Sequence, residues 1–228
     1  MTSSLYTLLQ IVDSLFPSGA FAHSYGLEGL LEKPGQLDAS ALRTTVEAIW
    51  SGHLLRTDGL FGLATHRAIT GGNVDLVCEL DRQLLAMKLA RELRTASTST
   101  GRSFLAEVCP LLPSRHLTEL QAHVESGRSP GNYAVVFQAA AAVSGATEAQ
   151  SLLAWGYQTV AQMTATLMRL GAVGHRGAVV LLGALRETVE TGSRELLEHD
   201  MTVASSFAPS LEIASMRHER QYSRLFRS

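Results

Sequence analysis

The chain has 228 residues, 46% of them hydrophobic and 18% charged, which is material for a sizeable core and excludes a disordered protein. A formal net charge of −2 leaves no global basic field to gather nucleic acid or an anionic membrane surface, so neither is expected as a partner. Two cysteines without a C-x-x-C pair, Cys78 and Cys109, exclude a disulfide scaffold, and the N-terminus lacks the pattern of a secretory signal, so a cytoplasmic location is expected.

Apolar residues recur at three and four positions rather than at two, which predicts an all-α fold: one helical domain over 1–228 with about eight to ten helices. Within it, 1–24 is expected to be a flexible N-terminal segment and 217–228 a tail. Leu5, Leu8, Leu9, Val12 and Leu15/Phe16 make a first amphipathic stripe, stopped by Pro17. Asp38 is placed as the N-cap of a helix through Leu42, Val46, Ile49, Trp50 and Leu54, and Asp58 as the cap of the next, which Gly71-Gly72 ends. From Asn73 a periodic run continues through Leu84 and Leu89 into Leu93, and a segment around Phe104 closes at Pro110. Ser114 opens another helix and Gly127 ends it. Thr147-Glu148-Ala149-Gln150 fits a capping box for a helix to about Arg169.

Between Arg128 and Arg169 the only formal charge is Glu148, and each half approaches the roughly 20 residues needed to span a bilayer. Gln, Ser and Thr in the second half and the Ser129-Pro130-Gly131-Asn132 break in the first make these buried soluble helices instead. Small side chains crowd the segments from Tyr133 to Gly145 and from Gly177 to Leu185. They let helix axes approach, which puts both segments in the bundle centre or at a subunit contact.

Catalytic and metal motifs are absent. The eight histidines show no H-x-x-H, H-x-x-x-H or H-E-x-x-H spacing, and G-x-S-x-G, Walker and G-x-G-x-x-G patterns are missing, so no catalytic residue, metal ligand or cofactor is assigned. Arg91-Glu92-Leu93-Arg94 reads as a solvated charged edge, the commoner case, or as a buried ion pair facing a neighbouring helix. Arg169, alone after a long stretch without positive charge, invites an acidic partner. The last twelve residues hold four arginines against one glutamate, with Tyr222, Leu225 and Phe226 at i, i+3 and i+4. Arginine beside an aromatic stripe favours a partner-binding tail over a frayed end.

Residues 9 to 28, LQIVDSLFPSGAFAHSYGLE, resemble the N-terminal signature of the urease accessory protein UreF family. The ending from His218 to Ser228, HERQYSRLFRS, is very similar to that family's ending, and Arg91-Glu92-Leu93, Gly101, Gly156-Tyr157 and Arg169-Leu170 fall between them in the family's order. The resemblance implies an all-helical, homodimeric, non-catalytic chaperone of the cytoplasm. It would bridge UreD (also called UreH) and the GTPase UreG so that nickel is delivered to apo-urease. It implies partner binding by Tyr222, Arg224, Leu225, Phe226 and Arg227, ordered on UreD, and an N-terminal motif of Pro17, Gly19, Phe21, Ser24, Gly26 and Leu27. It also matches Glu28 and Arg169 to positions implicated in controlling metallocentre assembly, from which a salt bridge on a UreG-facing surface is expected. Two other readings stay open: an adaptor for a different GTPase or metalloenzyme, and a small helical enzyme with a site built from His23, His66 and His175.

Overall fold

Helical spacing becomes helix almost everywhere in the computed structural model, which describes residues 2–31, 38–221 and 224–226, and none of these residues forms a strand. The helices are α1 (Thr2–Val12), α2 (Leu27–Leu30), α3 (Ala39–Ile49), α4 (Leu60–Thr70), α5 (Val74–Met87), α6 (Arg91–Leu111), α7 (Arg115–Glu125), α8 (Tyr133–Val143), α9 (Glu148–Arg169), α10 (His175–Ala184), α11 (Arg186–Leu196) and α12 (Pro209–His218). A π-helical stretch, Trp50–Gly59, joins α3 to α4 as one rod. With that rod taken as one and the single turn α2 set aside, ten helices stand among the described residues. No described helix is long and apolar enough to cross a membrane.

Local chemistry sets most of the ends. Asp38 Oδ1 accepts from the Ala41 N–H at 2.8 Å, Asn73 Oδ1 from the Leu76 N–H at 3.0 Å, and Thr147 and Gln150 form the reciprocal box. Two ends differ from the sequence reading. Asp58 caps nothing: the helix runs through it, and its buried carboxylate receives the Lys88 Nζ–H at 2.5 Å. That ion pair draws Lys88 inward, so the run from Asn73 breaks before Leu93. Arg94 Nη1 donates to the carbonyls of Lys88 and Leu89 at 2.7 and 2.6 Å, and the Ala90 N–H donates to Glu212 Oε2 at 2.7 Å. The backbone groups freed by the break are thereby satisfied. The first helix stops at Val12, short of Phe16, because Asp13 Oδ1 accepts from the Leu15 N–H and offers the chain a turn.

Helix α8 is the centre of the bundle. Its residues Tyr133 to Ala141 are all buried, packed chiefly between α4 and α6 with α9 alongside. Small residues make this possible: a Cβ on Gly62 of α4 would come 2.9 Å from Gln138 Cγ, and one on Gly101 of α6 would strike the backbone of Gly131 and Asn132. The turn into α8 is pinned by buried Asp81, which accepts from Ser129 Oγ (2.5 Å), Gly131 N (2.6 Å) and Asn132 N (2.9 Å). Trp50 and Trp155 pack in a tilted pair at 5.0 Å between centroids beside Gly156, whose missing side chain makes room for the Trp50 ring.

The other small-residue helix, α10, lies on the surface. Ala178 and Leu181 are buried, but Val179 is 73% and Val180 68% exposed, so the bundle-centre expectation fails for this segment. In the described part of 1–24, α1 packs on α9 with Leu8 and Ile11 buried, and a 3-10 turn follows at Ala20–Ala22.

Candidate functional site

The two terminal motifs meet. Tyr25 (φ 54°) and Gly26 (φ 77°) turn the chain sharply into α2, a backbone that an L residue such as Tyr25 rarely adopts. The Tyr25 hydroxyl end is buried and bonds Thr159; desolvation, then the Asp58 carboxylate, push that phenol well above its usual range. Helix α2 then lies almost backbone to backbone on α12, since a Cβ on Gly29 would come 2.6 Å from the Ala214 carbonyl oxygen. Glu28 is thereby presented to the end of α12, where His218 is buried.

His218 sits between two carboxylates. Its Nε2 is 2.8 Å from Glu28 Oε2 and its Nδ1 is 2.9 Å from Glu92 Oε2, so each ring nitrogen faces one carboxylate oxygen. Both glutamates also hold the tail. Glu28 accepts the backbone N–H of Leu225 at 2.7 Å and of Phe226 at 2.9 Å, and Glu92 pairs with Arg224 Nη1 at 3.1 Å. Glu92 lies in the first turn of α6, where the helix dipole favours an anion. Of the two readings of 91–94, the buried ion pair fits Glu92, which is buried, and the solvated edge fits Arg91, which is exposed and paired with Glu219.

Among the described residues Arg169 does not find the acidic partner expected of it. Its guanidinium lies 4.3 Å from the Phe21 ring centroid and 4.1 Å from that of Phe226, and Nη1 donates to the Phe21 carbonyl. Each such contact contributes roughly 0.5–2 kcal/mol according to its desolvation. The expected Glu28–Arg169 salt bridge is not formed, because Glu28 is already filled by His218 and two tail amides. Glu28 instead holds Phe226 by its backbone N–H and Arg169 by its ring, and Phe226 is only 3% exposed. Leu225 points outward and is exposed. Tyr222 and Arg227 lie outside the described residues.

The N-terminal motif divides by role. Pro17 and Gly19 (φ 72°) shape the exposed loop, Phe21 supplies a ring to Arg169, Ser24 and Leu27 are fully buried, and Gly26 fits under Leu211 of α12. The histidines scatter. An interior cavity of about 60 Å³ takes His23 with His53, Asp58 and Lys88, but neither His66, which bonds the Ala146 carbonyl at 3.0 Å, nor His175, exposed at the start of α10. Desolvation lowers the pKa of both His53 and His66. Among the described residues no group of three or more His, Cys, Asp or Glu is placed to hold a metal ion. Burial raises the Cys78 and Cys109 thiols above their usual range, away from thiolate chemistry.

A family model described as UreF matches residues 37–186. The chain belongs to the UreF family. It is similar along nearly its whole length to proteins named urease accessory protein UreF. The one from Arthrobacter sp. (strain FB24) is 31% identical over 97% of this chain and 96% of its own. That of Methylorubrum populi is 31% identical over 97% of each chain, and that of Bacillus sp. (strain TB-90) is 28% identical over 98% of this chain and 99% of its own. Set in this UreF chain, the two terminal motifs are halves of one site. His218 and Glu92 are the members that sequence reasoning gave no role. Both fall inside segments that resemble the family, yet only the fold brings residues 28, 92, 169 and 218 together.

Proposed function

We propose that this protein is a non-catalytic urease maturation factor, a homodimeric cytoplasmic scaffold that bridges UreD/UreH and the GTPase UreG so that nickel is inserted into apo-urease. The full-length likeness to proteins named urease accessory protein UreF carries the reading. The paired termini support it. A tail of arginines and aromatic residues is held by side-chain carboxylates and a guanidinium, with Leu225 turned outward, and this is a small surface suited to recognition.

The mechanism is coupling by differential affinity. A scaffold that binds the GTP-bound form of UreG more tightly than the GDP-bound form ties nucleotide state to assembly, and the coupling cannot exceed that difference in binding free energy. Arg224, Leu225 and Phe226, with Tyr222 and Arg227, are assigned to UreD; Glu28 and Arg169 control the posture of that tail and gate the UreG-facing side. Nickel is cargo in this scheme, and among the described residues no group of three or more His, Cys, Asp or Glu is placed to hold it. The test is pull-down of UreD by the full chain and by Glu28→Ala and Arg169→Ala. Loss of UreD capture in both variants, with folding kept, supports the assignment; capture unchanged in both contradicts it.

A further inference from the structure

The interior cavity holds ionisable groups that the proposed function does not use. His53, buried at 2% exposure, stands on the π-helical stretch Trp50–Gly59, a geometry that recurs at functional sites. Its Nδ1 has no hydrogen-bond partner among the described residues, and neither has Oε1 of buried Glu212. The ionisable groups around the imidazole come from several elements. Asp58 lies on its own rod, Lys88 at the end of α5, Glu212 on α12, His23 and Tyr25 on the N-terminal segment and Tyr133 on α8. The described lining from α3, α6 and α9 adds no further ionisable side chain.

Asp58 is already taken. Its Oδ2 accepts from Lys88 Nζ at 2.5 Å and from Thr57 Oγ1 at 3.1 Å. A second cation, on His53, meets Lys88 as a like charge in a space of about 60 Å³, which takes only about two waters. The nearby carboxylate with an open oxygen is Glu212, whose other oxygen accepts the Ala90 N–H at 2.7 Å, so a charged His53 draws on the group that pins the break between α5 and α6. That break is also the short way to water, since buried Lys88 is followed at once by Leu89, 62% exposed. Two residues beyond Ala90, Glu92 holds His218 and Arg224. We propose that protonation of His53 opens this corner of the bundle and releases the tail, so that retention of residues 224–226 is sensitive to acid while the α8 core stays folded. The sign follows from burial. Desolvation lowers the His53 pKa and outweighs Asp58, which raises it; Lys88 lowers it further and Glu212 raises it. The open, hydrated state therefore binds the proton more readily, and its population grows by up to about tenfold for each pH unit below about 6.5. The inference concerns the chain's hold on its own tail and is independent of which partner takes that tail.

The test is amide hydrogen exchange on the full chain between pH 7 and 5, corrected for intrinsic exchange, in the native protein and in His53→Gln. In the native chain, protection at Ala90 and Phe226 falls by up to about tenfold per pH unit, while Ala139 in α8 stays protected. In His53→Gln that slope is lost or shallower at both amides. His66→Gln, whose imidazole lies outside this cavity, keeps the native slope. His23 and His218 are present in every chain and cancel in the comparison. Equal slopes in native and His53→Gln overturn the inference. So does an equal fall at Ala139, which makes the opening global, or a fall at Phe226 without one at Ala90, which puts the sensor in the tail site itself. If His53→Gln does not fold, the ring resonances of His53 in the native chain decide. Their titration has to share its midpoint with the loss of protection at Ala90; titration with Ala90 unchanged, or no titration down to pH 5, overturns the switch.

Discussion

Glu28 carries more of the tail than any other residue, accepting two backbone N–H groups and one imidazole nitrogen with a single carboxylate. Replacing it with alanine removes that acceptor from one exposed and two part-buried groups, so the cost is expected near the lower end of about 0.5–1.5 kcal/mol per hydrogen bond. Glu28→Ala is therefore expected to lower Tm modestly and to raise amide hydrogen exchange at Leu225 and Phe226, with Glu28→Gln intermediate; protection unchanged in both variants would contradict the clamp. Because Phe226 is buried under Arg169, Phe226→Ala is also expected to cost measurable stability, contrary to a tail that adds nothing to the body. A second residue-scale expectation concerns pH. Desolvation holds the pKa of His53 and His66 below that of the unfolded chain, so between the two values the unfolded state binds more protons. Stability then rises with pH and is lost as pH falls through the imidazole range from about 6.5. His66→Gln should flatten the dependence of Tm on pH between 7 and 5, and an equal slope in native and variant would remove this account.

At the scale of elements, the sequence reading succeeds where a signal is local. The Asp38 cap, the Thr147–Gln150 box and the end of α9 at Arg169 depend on neighbours within one turn, and the structure has them in place. It fails where a distant group decides. Asp58 has the chemistry of a cap, but Lys88, thirty residues on, takes its carboxylate into the core and breaks the run from Asn73. That pair makes its own prediction. Lys88→Met leaves a buried unpaired carboxylate and is expected to cost about 3–5 kcal/mol, whereas Lys88→Met with Asp58→Leu recovers much of the loss. Chemical denaturation of the single and double variants checks this, and a double variant no better than the single would contradict it. Helix α2 gives another test: Gly29→Ala forces a Cβ against the Ala214 backbone and should loosen the α2–α12 contact, releasing the tail as Glu28→Ala does. The tail amides report it by exchange.

For the molecule as a whole, composition and period were enough for an all-α single chain built round a small-residue helix. The pairing of its two termini was not legible, because residues 28, 92, 169 and 218 become neighbours only through tertiary packing. The expected Glu28–Arg169 salt bridge illustrates the gap: Glu28 meets His218 and two tail amides, and Arg169 packs on the rings of Phe21 and Phe226. Membership of the UreF family turns that assembled site into a hypothesis about partners. The most direct test is co-purification of the tagged full chain with UreD and UreG in GTP and in GDP, sized by light scattering. The account predicts a stoichiometric complex with two copies of this chain, favoured by GTP and lost on Phe226→Ala. A chain that stays alone with either nucleotide would contradict it.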